Sequence, residues 1–158
     1  MVYPIEKEQG NASYDPNGAC GDFIRKLESL GFKVSVFEPR MGVEGRFMPT
    51  TYVTEACDLI IYVANIPTKS NQTQVRIEWA IPIGSNCTIY FHEVPTVFVS
   101  LKNPYHLLDA PRVKTYINAY CATKESIEAV IEKMLGKSEF VGKSPVDPFC
   151  GKWDARLG

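Results

Sequence analysis

Two apolar runs without polar alternation constrain the fold of this 158-residue chain more than any other feature. They read "LIIYVAN" at residues 59–65 and "VPTVFVSL" at residues 94–101. A strand that is apolar on both faces belongs in the middle of a parallel sheet whose two sides are covered. We therefore predict that residues 59–64 and 96–101 form adjacent central strands.

Helical patterns alternate with strand-like runs along the chain. The run "FIRKLESL" places its apolar side chains on one helical face, between Asp22 and a terminating Gly31. The run "CATKESIEAVIEKMLGK" predicts a second helix with Thr123 as N-cap and Gly136 beyond its end. Further strands are predicted at "VYPIE", at "FKVSVF" (residues 32–37) and at "VKTYINAY".

This alternation of helices and strands predicts the fold class α/β, as a three-layer α/β/α sandwich with a mostly parallel sheet. We expect one domain over residues 1–158, with its core at about residues 20–137 and an irregular tail rich in Pro and Gly at residues 138–158. The first strand begins so close to the start of the sequence that the domain is expected to be cut from a longer protein.

Charge and hydropathy exclude two classes of partner. The formal net charge is −1 and the lysines and arginines form no cluster, so nucleic acid is not expected as a partner. No apolar run approaches the roughly 20 residues of a membrane span, and no signal peptide opens the chain. We expect no membrane partner and a soluble protein, which is cytoplasmic or, if a longer parent carries another N-terminus, of unknown location.

Cysteine spacing and glycine motifs give no sign of a cofactor. The cysteines lie far apart and form no C-x-x-C pair, which is typical of reduced, buried thiols and not of a zinc site or a disulfide framework. Neither G-x-G-x-x-G nor G-x-x-x-x-G-K-[ST] is present to hold a pyrophosphate. We predict no cofactor and no metal. The cysteines are Cys20, Cys57, Cys87, Cys121 and Cys150.

Loops after the strands hold the candidate ligand contacts, because ligands of open α/β sheets bind at the carboxyl ends of strands. Three loops qualify: "NIPTKSNQTQ", "KNPYHLLD" and "EPRMGVEGRF". Polar loops are also common without any site, so a purely connecting role stays open. Neither histidine stands in a metal-ligand or catalytic spacing. The candidate substrate-side residues are Asn65, Asn71, Asn103, Tyr105 and His106.

Several segments in order resemble one enzyme family. They are "ACDLIIYVANI", "VPTVFVSLKNPYHLLDAPRVKTYINAY" and "SIEAVIEKMLGKSEFVGKSPVDPF". Over about residues 20–150 they resemble the C-terminal α/β-sandwich domain of family 3 glycoside hydrolases, in the β-N-acetylhexosaminidase-like branch. The resemblance implies carbohydrate hydrolysis, and it implies that "NPYHL" is a strand-to-helix corner shaped by its Asn and Pro.

The resemblance also implies that the catalytic centre lies elsewhere. In this family the nucleophilic Asp belongs to an N-terminal TIM barrel, and in the hexosaminidase branch a barrel loop supplies a His-Asp pair as acid/base. No "KHFPGHG"-like segment occurs in this chain. Some glucosidase members take the acid/base Glu from the C-terminal domain, which makes Glu78, Glu93 and Asp109 candidates, though none aligns to that role. Because the reaction needs two carboxyl groups about 5 Å apart, this domain supplies at most one wall of the site.

Two hypotheses are compatible with these observations. In the first, the chain is a family 3 domain that is inactive alone, packs on the N-terminal TIM barrel and contacts carbohydrate at most indirectly. In the second, it is a free-standing α/β module that binds a small ligand. The first predicts an exposed aromatic patch that faces the barrel and favours self-association of the isolated domain, with the candidates Trp79, Tyr105, Phe149 and Trp153.

Overall fold

Four parallel strands form the centre of the molecule, in the spatial order β1-β2-β3-β4. The structure is a computed structural model that describes residues 1–6, 14–37, 51–70, 76–77, 79 and 91–151. The two apolar runs form β2 and β3, adjacent and central, so the predicted parallel α/β fold is confirmed. The strands are β1 (Val2–Ile5), β2 (Ile60–Ala64), β3 (Thr96–Ser100) and β4 (Thr115–Asn118).

The first strand is fully buried although it contains a proline. The Val2 N–H donates to the Ser35 carbonyl on the side of β1 away from β2. Since N–H groups alternate sides along a strand, the Pro4 nitrogen also points away from β2. The missing N–H therefore removes no hydrogen bond between β1 and β2.

The strand predicted at "FKVSVF" is wrong. In the described structure, residues 32–37 contribute only an isolated bridge between Val36 and Val2. Most of this segment is exposed or half-buried, because it lies outside β1 where little of the domain covers it. A local preference for β structure is not enough to form a strand without packing on both sides.

Two long helices cover one side of the sheet. The first, α1 (Ala19–Ser29), begins earlier than predicted, with Gly18 as N-cap and Asp22 inside its first turn. A single-turn helix, α2 (Thr51–Thr54), follows. The last, α3 (Lys124–Met134), confirms the prediction, because Thr123 Oγ1 accepts a hydrogen bond of 3.3 Å from the Ser126 N–H.

The sheet has two unlike faces, here called the helix face and the loop face. Aliphatic side chains of the sheet pack against α1 and α3 on the helix face. The loop face carries a row of stacked rings, with centroid separations of 4.5, 4.6, 6.0 and 5.4 Å along the row. In the described part of the chain, α2, a 3₁₀ turn and irregular segments cover this row. The rings are Phe37, Tyr3, Tyr62, Phe98 and Tyr116.

The cysteines differ in exposure more than predicted. Cys20 is buried and Cys57 half-buried, while Cys121 and Cys150 are exposed, and all four are free thiols. The prediction of buried thiols is thus wrong for the last two, which lie in the connections beyond β4 and near the C-terminus. Cys87 lies outside the described residues. Among the helices that the structure describes, none is long and apolar enough to cross a membrane.

Candidate functional site

The carboxyl ends of the four strands meet at one edge of the sheet, here called the carboxyl edge. The strand register aligns Ile5 with Ala64, Ala64 with Ser100, and Ser100 with Asn118. Every side chain that directly follows a strand is therefore brought to the same edge, where ligands of α/β sheets bind. This arrangement gathers polar residues that are far apart in sequence.

The turn after β3 is held by its own side chains. Ser100 Oγ donates a hydrogen bond of 2.5 Å to the Asn103 carbonyl. Asn103 Oδ1 accepts one of 3.0 Å from the Tyr105 N–H, and the Asn103 side chain is only 1% exposed. This side-chain turn leads directly into the 3₁₀ turn His106–Leu108. Asn103 thus shapes the corner, as the resemblance implied.

A buried ion-paired group lies behind this corner. His106 Nδ1 is 2.9 Å from Asp109 Oδ2, and the two side chains are 0% and 2% exposed. Arg76 Nε donates to the other oxygen of Asp109, and its Nη2 donates 2.9 Å to the Leu108 carbonyl. Because the carboxylate accepts at Nδ1, the imidazole carries its hydrogen on that atom. Asp109 therefore orients the ring and leaves Nε2 as the remaining polar atom.

Three buried side-chain atoms at the carboxyl edge have no hydrogen-bond partner among the described residues. They are Asn65 Oδ1, His106 Nε2 and Asn118 Oδ1. Buried polar atoms normally find partners, so each of these calls for a partner from outside the described structure. Asn118 is the last residue of β4, Asn65 directly follows β2, and His106 begins the 3₁₀ turn that follows β3. The carboxyl edge is therefore an incomplete hydrogen-bonding surface.

The same edge holds no pair of groups arranged for bond cleavage in the described structure. Asp109 is engaged by His106 and Arg76. Glu93 and His92 are exposed and precede β3, so they lie at the opposite, amino edge of the sheet. No group of three His, Cys, Asp or Glu side chains in the described part could hold a metal ion. The geometry supports binding and positioning.

The N-terminus of α1 also lies at the carboxyl edge, and a carboxylate of the chain fills it. Glu6, the residue after β1, accepts a hydrogen bond of 2.7 Å from the Asp15 N–H and one of 3.4 Å from the Cys20 N–H. Burial, and then the charge of Glu6, raises the pKa of the Cys20 thiol well above its usual range. The thiol stays protonated and donates to the Val63 carbonyl at 3.4 Å.

The structure brings together most of the residues that sequence reasoning selected. Asn65, Asn103 and His106 lie at the carboxyl edge with the half-exposed Tyr105. Asn71 and the acid/base candidate Glu78 lie outside the described residues. Sequence reasoning missed Asn118, which was hidden inside a strand prediction, and Arg76, whose ion pair spans 33 residues of sequence.

The prediction of an exposed aromatic patch is wrong for Phe149. Phe149 is only 5% exposed and packs in the loop-face core, because Asp147 Oδ1 accepts from its N–H and turns the chain inward. Trp79 is half-buried, with its ring roughly perpendicular to the Tyr62 ring at a centroid separation of 6.2 Å, and Tyr105 is half-buried too. Trp153 lies outside the described residues. Among the residues that the structure describes, the exposed large apolar side chains are instead Leu30, Phe32, Tyr120, Leu135, Phe140 and Val141.

Comparison with known proteins places these features in context. The chain is 53% identical over 140 residues to a β-N-acetylglucosaminidase/β-glucosidase of Cellulomonas fimi, covering 89% of this chain and 25% of that protein. Among solved structures it resembles a β-glucoside phosphorylase, BglX, with a TM-score of 0.76 and 40% identity over 98% of this chain and 27% of that one.

A second structure of that phosphorylase, bound to 2FGlc, matches with a TM-score of 0.74 and 39% identity, over 95% of this chain and 26% of that one. No protein-family profile matches the chain. The chain thus spans about a quarter of the length of the relatives it matches.

Proposed function

Since this chain belongs to the C-terminal α/β domains of family 3 glycoside hydrolases, we propose that it acts in the cleavage of β-linked sugars together with an N-terminal TIM-barrel domain of the same enzyme. The observation that carries the proposal is the 53% identity, over 89% of the chain, to a β-N-acetylglucosaminidase/β-glucosidase. The chain itself contributes binding and positioning, and the barrel contributes the nucleophile.

The carboxyl edge is the surface of this domain that borders the sugar site in the proposal. Two of its buried acceptors, Asn65 Oδ1 and His106 Nε2, have no partner in the described structure and need hydrogen-bond donors, and both a barrel backbone and sugar hydroxyls supply donors. The hydrogen bond between Asp109 and His106 fixes the corner that carries Tyr105, so that this half-exposed ring is held in one position. Rigid positioning of substrate contacts supports catalysis by holding the reacting groups in register.

Hydrolysis is the first candidate reaction and phosphorolysis the second. The second is favoured by the name of the structural relative, a β-glucoside phosphorylase. In phosphorolysis inorganic phosphate replaces water as the acceptor of the glycosyl group, so the product is a sugar phosphate in place of the free sugar. Product analysis of the enzyme that contains this chain, with and without phosphate, separates the two reactions.

A chimera tests the proposal directly. This chain would replace the corresponding quarter of the Cellulomonas fimi relative, and turnover of nitrophenyl β-glucoside and nitrophenyl N-acetyl-β-glucosaminide would be measured. We expect the chimera to be active and the 158-residue chain alone to be inactive. A folded but inactive chimera, or turnover by the chain alone that survives repurification, would contradict the proposal.

Two substitutions in the chimera test the role of the carboxyl edge. Tyr105→Ala is expected to raise KM severalfold while the chain stays folded, because a ring that borders the sugar is lost. Phe32→Ala removes an exposed ring near the end of α1, away from the carboxyl edge, and serves as the matched control with unchanged KM. Equal kinetics of both variants would exclude the carboxyl edge as a wall of the sugar site.

A further inference from the structure

A groove of about 470 Å³ runs along the outer edge of β4. Its walls are β4 with the residues that follow it, one side of α3, and residues 140–144 of the tail. Two contacts fix the tail in place: Lys133 Nζ donates to the Glu139 carbonyl, and Tyr120 Oη lies 2.8 Å from Ser144 Oγ. The volume is within the range of small-ligand sites.

Two aromatic side chains present exposed surface in the groove. Tyr120 is 44% exposed and Phe140 is 56% exposed, and both line it. The half-buried Tyr116 lines it as well. Large apolar side chains left this open are usual at binding surfaces. The flat C–H faces of β-linked sugar rings pack well on aromatic rings of this kind.

A buried acceptor in the groove indicates that the ligand carries a hydrogen-bond donor. Asn118 lines the groove, and its Oδ1 atom is buried without a partner in the described structure. Such an oxygen needs a donor. An ionised carboxylate pairs with the exposed Lys143 but leaves Oδ1 without a donor, whereas a sugar hydroxyl or acetamido N–H satisfies it.

The backbone at Tyr120 is strained. Its φ angle is +58°, in the left-handed region that bulky side chains rarely adopt. Glycine would occupy this conformation without strain. A strained residue that holds a half-exposed ring at a groove is typical of a functional position.

We propose that this groove is an accessory binding site for a neutral β-linked oligosaccharide of glucose or N-acetylglucosamine, separate from the site of bond cleavage. The choice of sugar rests on the proposed function. An extended peptide added to the edge of β4 is the competing occupant. It is disfavoured because β4 has four residues, so only about half of its backbone groups face outward for strand addition.

The test is a titration of the 158-residue chain with cellotetraose and with triacetylchitotriose, followed by ¹⁵N NMR. We expect shifts confined to residues 115–120, α3 and residues 140–144. Tyr120→Gly should weaken the affinity by about tenfold, because one stacking ring is lost. Circular dichroism should show that the variant stays folded, since the change relieves backbone strain while it removes the hydrogen bond between Tyr120 and Ser144. Phe32→Ala is the matched control with unchanged affinity.

The outcomes separate this site from the proposed function, since saccharide binding to the chain requires no turnover. An active chimera whose C-terminal domain shows no saccharide shifts along β4 would overturn the accessory site and leave the proposed function standing. Equal binding by Tyr120→Gly and the parent chain, or shifts along β4 only with an extended peptide, would also overturn it. Shifts along β4 with an inactive chimera would support the site and contradict the proposed function.

Discussion

The two faces of the sheet are built from different chemistry, although the same four strands supply both. The helix face is aliphatic and is covered by α1 and α3, which pack on Val63, Val99 and their neighbours. The loop face is aromatic, is covered by α2, a 3₁₀ turn and irregular segments in the described part of the chain, and includes the buried pair His106 and Asp109. The comparison indicates that the helix face stabilises the domain while the loop face fixes the geometry of the carboxyl edge.

The largest expected effect is on the helix face. Phe23 is 0% exposed in α1, so Phe23→Ala should lower the free energy of unfolding by about 3–5 kcal/mol through lost burial and a cavity. Urea denaturation measures this, and Phe32→Ala, at a position 46% exposed, should change it by less than about 0.5 kcal/mol. Equal losses in the two variants would remove the distinction between core and surface on this face.

A smaller loss of stability with a larger change in local geometry is expected on the loop face. Asp109→Ala should cost about 3 kcal/mol, because buried His106 loses the acceptor at its Nδ1 atom and Arg76 loses an ion pair. The ¹⁵N spectrum of the His106 ring should report a change of tautomer. Arg76→Ala, at a side chain 50% exposed, should cost at most about 1 kcal/mol. An unchanged ring spectrum in Asp109→Ala would contradict the orienting role.

Alkaline pH should lower the free energy of unfolding through one buried thiol on the helix face. Because burial raises the pKa of Cys20, the folded state keeps this proton above pH 9.0, the ordinary value, where the unfolded state loses it. The contribution to stability is therefore complete below that pH and falls as pH rises, by at most about 1.4 kcal/mol per pH unit. Unfolding measured at about pH 8 and about pH 10 should differ by about 1 kcal/mol more in the parent chain than in Cys20→Ala.

The smallest effect is expected where the two helices meet at the surface. Lys26 Nζ and Glu128 Oε1 are 2.7 Å apart, with side chains 32% and 53% exposed. Glu128→Gln should change stability by 0 to about 1 kcal/mol, and added salt should reduce the difference further. A loss comparable with that of Phe23→Ala would mean that charge pairing, and not burial, holds α1 against α3.

Sequence reasoning correctly predicted those strands and helices whose formation depends on a local periodic pattern. The central strands and α3 were found because their apolar patterns and the Thr123 cap act within a few residues. Residues 32–37 were misassigned because β preference says nothing about which edge of the sheet a segment occupies. The burial of Phe149 was missed because it depends on a turn set by Asp147.

The site was predicted in part for a similar reason. Asn65, Asn103 and His106 follow strands, and the rule that strand ends meet at one edge located them. The pairing of Arg76 with Asp109 joins distant segments and has no local signal. Asn65 Oδ1 and Asn118 Oδ1 have no hydrogen-bond partner in the described structure. Whether a buried oxygen finds a donor depends on the neighbours that the fold brings to it, and no single segment of sequence encodes those neighbours.

The carboxylate of Glu6 at the start of α1 has a consequence for how this fold is used. In doubly wound enzymes the first helix after the first strand offers its N–H groups to a phosphate of a nucleotide. Here the protein supplies its own anion at that place, hydrogen-bonded to Asp15 and Cys20. The position is therefore closed to nucleotides. The Glu6 charge would also repel a phosphate brought to this helix, so the domain shares the parallel sheet and first helix of nucleotide-binding folds without their anion-binding position.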